Sequence, residues 1–217
     1  MKDKYTMTQK ENIFLAKRNI IDAIWKSANL EGINITFPET YAIYEKLKIQ
    51  NVDIADVNTI LNLKHGWQEV LSTINDALTL DYICRIHSEV SKDEALTWGK
   101  LRTGQVGISG TNYIPPLPDE MTIKTQLEEI TQLEPNTNRC IRLMLYLMKA
   151  QIFWDGNKRT AMLIANKEMI KQGNGIISIP IEHIIEFNTL LSDYYTYDRD
   201  NTLIDFIYDK AIKGIDM

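Results

Sequence analysis

Hydrophobic residues recur at helical spacing along most of the chain. In residues 12–32, for example, Ile20 and Ile24 fall on one face, and Gly32 is a suitable stop for the helix. The same spacing predicts further helices over residues 37–51, 52–78, 81–91, 121–133, 138–153, 160–172, 181–195 and 202–212. Residues 138–153 are apolar on nearly all sides, which predicts that this helix lies at the centre of a bundle.

Residues 98–118 interrupt the helical pattern. They contain four glycines and three prolines, and their hydrophobic residues alternate with smaller ones. This composition predicts a short hairpin that closes near Ser109 and Gly110 and leaves through a proline-stiffened segment. A turn and a short strand are also predicted within residues 173–180. The predicted fold class is therefore all-α, a mainly helical bundle with one short β-hairpin flap.

Composition excludes several classes of protein. The net charge of −5, without a dense basic run, argues against a nucleic-acid binder. No stretch approaches the ~20 apolar residues of a membrane span, and residues 1–12 lack the apolar run of a signal peptide. Cys84 and Cys140 lie in apolar helical patterns, which predicts buried free thiols and a reducing, cytoplasmic location.

The segment QIFWDGNKRT, residues 151–160, joins two strongly apolar helices. The first N–H groups of the second helix have no intrahelical partner, and its dipole is positive there. Gly156 lets the backbone pass close to a ligand, while Lys158 and Arg159 add positive charge that favours a bound anion. Beside them, Asp155 is suited to hold Mg²⁺ if that anion is a polyphosphate. The alternative is a plain helix–helix turn with solvated charges.

This segment resembles the signature of the Fic family, His-x-Phe-x-Asp/Glu-Gly-Asn-Gly/Lys-Arg. The matching positions are Phe153, Asp155, Gly156, Asn157, Lys158 and Arg159. Upstream, the family's order of motifs is matched by Ile86-His87, by Gly99 to Arg102, and by Tyr113-Ile114-Pro115-Pro116. The resemblance spans roughly residues 81–173. It implies a Fic core over residues 81–217 and N-terminal helices over residues 1–80, within one compact domain.

The resemblance also implies an activity, namely the transfer of AMP from ATP onto a hydroxyl side chain of a target protein. In this interpretation Asp155 binds Mg²⁺, and the phosphates are cradled by Gly156, Asn157, Lys158 and Arg159. The flap would dock the target by strand addition through Gln105, Val106, Gly107, Ile108, Ser109, Gly110, Thr111, Asn112 and Tyr113. The oligomeric state is left open, and a homo-oligomer is compatible with the sequence.

Gln151 stands where Fic enzymes have their general-base histidine. An amide has no useful basicity, and loss of a general base typically lowers a rate by about 10²–10⁴. The side chain of Gln151 could still orient a hydroxyl, so weak transfer and non-catalytic binding both fit the sequence. The glutamine itself is either the natural residue of this protein or an introduced substitution, and the sequence fits both. His87, on an apolar helix face, is predicted to be a core histidine rather than a substitute base.

Met162 is a second departure from the family pattern. Many Fic enzymes have an arginine at this position, which holds the γ-phosphate, whereas methionine more often belongs to the core. With Lys158, the loop resembles the Lys-Arg-Thr branch of the superfamily, which includes Doc-type kinases. AMP transfer and phosphate transfer therefore both remain open.

The segment SANLEG, residues 27–32, fits the inhibitory pattern of the family, Ser/Thr-x-x-x-Glu-Gly/Asn. The resemblance implies an inhibitory role for Ser27, Glu31 and Gly32, in which Glu31 reaches the pocket and competes with the γ-phosphate. A carboxylate can occupy a fork of N–H donors as a phosphate oxygen does. With methionine at position 162, Arg159 is the expected partner of Glu31. The alternative is an ordinary helix end stopped by Gly32.

Three tyrosines near the end of a later helix could line an adenine pocket. Tyr194, Tyr195 and Tyr197 lie on the helix that follows the loop helix. A tyrosine-rich helix end more often lies at the edge of the core, so this assignment stays one of two alternatives.

Overall fold

The computed structural model describes residues 1–215. Its helices are α1 (Gln9–Leu30), α2 (Phe37–Tyr44), α3 (Ile54–Ser72), α4 (Leu80–Val90), α5 (Glu120–Gln132), α6 (Thr137–Ala150), α7 (Asn157–Gln172), α8 (Ile184–Tyr197) and α9 (Asn201–Phe206). A 3₁₀ turn, Ile181–His183, precedes α8, and a π-helical turn, Ile207–Ala211, follows α9. Each predicted helical stretch overlaps one of these helices, although most helix ends differ from the prediction by one to several residues. The second is shorter than predicted, because Lys46 adopts a positive φ of 57°.

Local sequence signals fix where the first six helices begin. Each has a side-chain cap that accepts a hydrogen bond from a backbone N–H of its first turn: Thr8, Thr36, Asp53, Thr79, Asp119 and Asn136. In α1 and α2 the cap is a full capping box, completed by Glu11 and Glu39. These starts are therefore encoded within a few residues of each helix.

The core is built around α6 and α7, which pack against each other, while α1, α3 and α4 pack on α7. Cys140, Met144 and Met148 of α6 are fully buried, which confirms the predicted central position of this helix. Met162 of α7 also lies in the core, as expected. Among the described residues, every helix falls short of the length and apolar character that crossing a bilayer requires.

Buried charges fasten α7 to its neighbours. Lys167 is fully buried and donates to Asp76 O at 2.6 Å and to Glu168 Oε1 at 2.8 Å. Arg139 of α6 pairs with the other carboxylate oxygen of Glu168 at 3.2 Å. Burial lowers the pKa of Lys167, although Glu168 opposes this effect. Removing one partner of such a set leaves an uncompensated buried charge, so the set stabilises one arrangement of the helices.

The β-structure lies away from the predicted flap. Strands β1 (Ile176–Ile177) and β2 (Ile212–Lys213) pair antiparallel, with Ile177 opposite Ile212. This confirms the strand expected in residues 173–180 and the all-α class with a minor β-element. The prediction of a hairpin in residues 105–113 is wrong in one respect: no ladder forms there. The segment makes only the turn near Ser109, and its glycines disfavour a strand.

The hydrophobic core is continuous across the predicted boundary at residue 80. It runs from Met7 near the N-terminus through α3 and α6 to Ile212 in β2. Helix α1, from the predicted N-terminal part, packs on α7, from the predicted Fic core. The division into residues 1–80 and 81–217 stays a prediction; Asp216 and Met217, at its end, lie outside the described residues.

His87 ties α4 to two loops. Its ring is fully buried and stacks on Phe153, with centroids 3.7 Å apart and planes 5° from parallel. The Nδ1 atom accepts from Gly99 N at 2.9 Å, so Nε2 carries the proton and donates to Asp155 O at 2.9 Å. This confirms the prediction of a core histidine. Burial lowers the pKa of His87 to about 4, although the bond to Asp155 opposes the shift.

This pKa predicts a stability that falls at mildly acidic pH. Between about pH 6.5 and pH 4 the unfolded chain binds a proton at His87 that the folded chain does not bind. The free energy of unfolding should therefore drop by up to about 3 kcal/mol over this window and level off below it. Urea unfolding of the wild type and of His87→Gln across this range checks the effect, and His87→Gln should show a shallower slope.

The control for this prediction is His65→Gln. His65 is exposed on α3, so its replacement should leave the pH profile of stability unchanged. Equal slopes for His87→Gln and the wild type would contradict the proposed role of the buried ring.

Candidate functional site

The connection between α6 and α7 is shaped by Gln151. Helix α6 ends at Ala150, three residues before the predicted end near Phe153, because Gln151 adopts a left-handed conformation with φ 46° and ψ 52°. The side-chain Nε2 of Gln151 donates to Met148 O at 2.7 Å, and its Oε1 accepts from Asn157 Nδ2 at 3.2 Å. Both ends of this amide are therefore engaged within the protein.

Asn157 braces the same loop. Its Oδ1 accepts from Phe153 N at 2.9 Å, and its Nδ2 donates to Phe153 O at 2.9 Å as well as to Gln151. The side chain is buried. Its polar atoms hold the loop, so any contact of Asn157 with a nucleotide falls to its backbone N–H.

The N-terminus of α7 has no side-chain cap. Gly156 is the N-cap residue, in a left-handed conformation with φ 69°, whereas each of α1 to α6 is capped by a side chain. The N–H groups of the first turn of α7 are therefore left for a ligand or for water, at the positive end of the helix dipole. This matches the sequence-based expectation for the loop.

The need for glycine at position 156 comes from the protein itself. A Cβ atom there would overlap Ser91 Oγ at the end of α4, in addition to the strain of the positive φ. The prediction attributed this glycine to the close approach of a ligand. In the structure, it lets the loop pack against α4.

The two cations of the loop point to different neighbours. The Nη1 atom of Arg159 donates to Glu94 Oε2 at 2.5 Å and to Val90 O at 3.3 Å, and the side chain is only 5% exposed. Lys158 Nζ lies 3.2 Å from Leu30 O and 3.5 Å from Glu31 Oε2. The expected pair of Arg159 with Glu31 is therefore wrong.

The reason for this difference is helical geometry. Successive side chains of α7 project about 100° apart. Arg159 consequently faces the loop after α4, and Lys158 faces the end of α1. Glu31 thus reaches the loop, as the inhibitory motif predicts, but it meets Lys158 there.

Several buried polar atoms near the loop have no partner among the described residues. These atoms are Ser91 Oγ, Arg159 Nε and Thr160 Oγ1. A fourth buried atom without a partner, Ser178 Oγ, belongs to another part of the structure. Buried polar groups usually find a hydrogen-bond partner. Three such atoms beside one uncapped helix terminus therefore mark a polar environment suited to a further ligand or to water.

A cavity of about 520 Å³ lies between the flap, α1, α7 and α8. Its lining residues are Glu31, Gly107, Ile108, Ser109, Thr111, Gln151, Lys158, Asn188, Leu191, Ser192 and Tyr195. The cavity brings together the predicted inhibitory glutamate, Glu31; Gln151, at the position predicted for a base; Lys158 of the predicted phosphate-binding loop; and part of the flap. Its volume falls within the range of small-molecule sites.

Three lining residues from α8 were missed by sequence reasoning. Asn188, Leu191 and Ser192 share one helical face with Tyr195, at spacings of three, four and seven residues. A face of mixed polar and apolar residues fits neither a core stripe nor a solvated surface, and that mixture was the available signal. Of the tyrosines considered for an adenine pocket, Tyr195 lines the cavity, while Tyr197 is exposed.

The remaining predicted residues lie around the cavity. Ser27 is buried within α1, and Gly32 is exposed just beyond it with φ 87°. Those flap residues that do not line the cavity are Gln105, Val106, Gly110, Asn112 and Tyr113. The ring of Tyr113 instead stacks on that of Tyr195, with centroids 6.4 Å apart.

Asp155 is the available carboxylate for a cation at the loop. Its side chain is 62% exposed, Oδ1 accepts from Gly156 N at 2.6 Å, and Arg159 Nη2 is 3.7 Å away. Within residues 1–215, His, Cys, Asp and Glu side chains form no group of three or more that could hold a metal ion. One carboxylate fits Mg²⁺ of the kind that takes most of its ligands from phosphates and water.

The cysteines do not offer a nucleophile. Both are free thiols; Cys140 is buried and Cys84 is half-buried. Burial raises the pKa of Cys84 to about 11 and that of Cys140 to about 12. A thiol must lose its proton to react, so thiol chemistry at these positions is disfavoured at neutral pH.

Comparison with known proteins identifies the domain. A profile of the Fic/DOC family matches residues 77–169. The protein adenylyltransferase Fic of Nematostella vectensis is 28% identical over 185 residues, which is 80% of this chain and 41% of that protein. The enzyme of the same name from Culex quinquefasciatus is 28% identical over 178 residues, covering 77% of this chain and 35% of its own length. This chain thus spans about two fifths of these relatives or less.

Solved structures share the fold. Fic-1 from C. elegans superimposes with a TM-score of 0.78 at 20% identity, covering 90% of this chain and 62% of that one. A Fic-domain-containing signalling protein from Bacteroides thetaiotaomicron gives a TM-score of 0.71 at 16% identity, covering 94% and 86%.

The matched region contains the loop and the flap, whereas Glu31 and the α8 residues that also line the cavity lie outside it. Residues 77–169 include α4 with His87, the flap, and the loop from Gln151 to Thr160. The sequence match, the similar relatives and the shared fold agree with one another. The chain therefore contains a Fic/DOC-family domain, which is matched over residues 77–169.

Proposed function

We propose that this protein binds ATP with Mg²⁺ in the cavity beside α7 and belongs to the AMP-transferring branch of its family. Its substrate would be a hydroxyl side chain of a target protein. The proposal depends on one observation above all: the uncapped N-terminus of α7 adjoins a cavity of about 520 Å³ that Lys158 lines. The names of the similar relatives, protein adenylyltransferase Fic, support the same activity.

The loop supplies the chemistry that a triphosphate needs. Free N–H groups at a helix N-terminus bind phosphate oxygens, and the helix dipole favours their negative charge. Lys158 adds a partly exposed ammonium at the cavity wall. Gly156 has no side chain, and most polar atoms of the Asn157 and Arg159 side chains already contact the protein. These three residues therefore contribute mainly through the backbone.

Asp155 would hold Mg²⁺ together with the phosphates. Its carboxylate is exposed and adjoins the first turn of α7. When bound, ATP with Mg²⁺ supplies an activated phosphoryl group whose charge the cation helps to neutralise. The protein's part is to hold that phosphoryl group in one orientation relative to the target hydroxyl.

Gln151 would leave transfer slow or absent. No proton can be taken up by its amide at neutral pH, and both ends of that amide are engaged by Met148 O and Asn157 Nδ2. Much of phosphoryl-type transfer rests on positioning and charge, so a residual rate is compatible with this site.

The flap would receive the target. Its segment 105–113 has no ladder partner in the described part of the chain, so the backbone groups outside the turn at residues 108–111 are available for strand addition. Ile108 and Thr111 also line the cavity. A target strand on the flap would therefore lie close to the nucleotide.

Glu31 would restrain nucleotide binding. It lies 3.5 Å from Lys158 and lines the same cavity. A phosphate oxygen and this carboxylate would compete for one ammonium. The restraint thus acts through Lys158 rather than through an arginine.

A second candidate is a non-catalytic module that binds nucleotide or protein. The hydrogen bonds of Gln151 favour it, because they make the residue a brace of the loop. Phosphate transfer of the Doc type is a third outcome, since Met162 is buried and offers no side chain for a γ-phosphate.

Replacing Lys158 by alanine should weaken the binding of ATP with Mg²⁺ about tenfold, because one charge-assisted contact to phosphate is lost. Isothermal calorimetry measures the affinity. The control is Lys171→Ala, which removes an exposed lysine from the other end of α7. Equal affinities for wild type and Lys158→Ala would count against phosphate binding at this loop.

Replacing Glu31 by glutamine should tighten ATP binding up to about fivefold, since a partly exposed ion pair is worth up to about 1 kcal/mol. The same titration checks this, with Glu45→Gln, an exposed residue after α2, as the control. If Glu31→Gln left ATP affinity unchanged while Lys158→Ala still weakened it, the restraint by Glu31 would be ruled out and the nucleotide site would stand.

Replacing Gln151 by histidine should raise transfer by about 10²–10⁴, because a general base is restored. Labelled ATP and the mass of the modified protein measure the product and separate AMP from phosphate. Gln151→Asn, which adds no base, is the matched control and should show no gain. Nucleotide binding without transfer in Gln151→His would favour the non-catalytic module.

A further inference from the structure

Arg102 lies at the base of the flap and bonds to four backbone carbonyls. Nε donates to Gln151 O at 2.6 Å, Nη1 to Gly104 O at 2.6 Å, and Nη2 to Pro115 O at 3.3 Å and to Pro116 O at 2.5 Å. The residue is 2% exposed. One guanidinium thus contacts the residues that flank the flap on both sides and the backbone of Gln151.

The charge of Arg102 has no carboxylate partner among the described residues. A buried cation is costly unless its donors are satisfied. Here the carbonyl of Gln151 lies at the negative end of the α6 dipole, where a cation is favoured. The backbone N–H of Arg102 also donates to Ile152 O at 3.0 Å. The partial negative charge at the end of α6 therefore favours the buried guanidinium, whose donors are taken up by backbone carbonyls.

The contact is with the backbone of residue 151 and with no atom of its side chain. Gln151 is held in a left-handed conformation, which is strained for a residue with a side chain. A short, charge-assisted hydrogen bond to its carbonyl stabilises that conformation. The link should therefore persist whichever side chain stands at position 151.

A second contact fixes the start of the flap. Gly104 lies so close to the ring of Trp154, in the loop after α6, that a Cβ atom on it would come within 2.5 Å of Trp154 Cη2. The flap thus leaves the body of the protein from a site defined by the same loop. Its two ends, at residues 104 and 115–116, have little freedom to move independently of residues 151–154.

We propose that Arg102 is a positioning residue that sets where the flap lies relative to residue 151. It aligns a target hydroxyl on the flap with the nucleotide, and it contacts neither. The effect of Arg102 on transfer rests on the proposed function. The physical link that Arg102 makes between the flap and the loop does not depend on it.

The test uses the 217-residue chain with Gln151→His, to which Arg102→Lys or Arg102→Gln is added. Lysine keeps the charge but lacks the planar fork that reaches several carbonyls. The control is Arg139→Lys, which alters a sheltered arginine paired with Glu168 at the opposite end of α6. Hydrogen exchange of residues 103–116, ATP affinity and the kinetics of transfer are measured for each protein.

Both Arg102 variants should show flap exchange about tenfold faster or more, because charge-assisted bonds that hold the flap are lost. The transfer rate at saturating ATP should fall by a similar factor, while ATP affinity stays within about twofold, since the phosphate contacts lie on α7. Arg139→Lys should lower the melting temperature without accelerating exchange in the flap.

Unchanged flap exchange together with a lower melting temperature would overturn the proposal and leave Arg102 as a stabilising residue only. A failure of the parent chain to bind ATP would instead count against the proposed function, and hydrogen exchange would still decide the link. If neither Arg102 variant folds, NMR of the wild-type protein tests whether the hydrogen bond of Arg102 Nε persists. The Nε–H signal of Arg102 should exchange far more slowly than that of the exposed Arg199, and equal rates would overturn the proposal.

Discussion

A helix whose first turn is uncapped and buried at the centre of the protein is the constraint on which the site depends. Helix α7 is enclosed by α1, α3, α4 and α6, so its N-terminal amides are held in place by the whole bundle. The surrounding side chains serve this arrangement. Asn157 closes the loop, Glu94 holds Arg159, and His87 links the loop to α4. What remains available to a ligand is the backbone, the helix dipole, Lys158 and the exposed carboxylate of Asp155.

Residue 151, where the Fic resemblance predicts a base, is held in place by its own surroundings. Gln151 bonds to Met148 and Asn157, and its carbonyl accepts from Arg102. None of these contacts needs an imidazole. The amide side chain of Gln151 and its backbone carbonyl thus hold the loop without any basic group, so the proposed function separates the binding of a nucleotide from the chemistry of transfer.

The sequence could predict those parts of the molecule whose causes are local. Helix starts such as that at Asn136 follow from a capping residue, and the helical core follows from hydrophobic spacing. The end of α6 was misplaced because the left-handed conformation of Gln151 depends on tertiary contacts, including that from Arg102. The partner of Glu31 was wrong for a similar reason, since packing decides which face of α7 meets α1. The wall formed by α8 was missed because Asn188 and Ser192 carry no motif.

The ion pair between Lys158 and Glu31 has a consequence for how the chain would respond to other molecules. Since Lys158 also donates to Leu30 O, the end of α1 is fastened to the loop by a single side chain. Thermodynamic linkage is reciprocal. A ligand that binds Lys158 therefore weakens the contact between Lys158 and the end of α1 by the same free energy by which that contact weakens the binding of the ligand. A protein that binds the first helix would then respond to the ligand at Lys158, and that ligand would in turn change how strongly the helix binds such a partner.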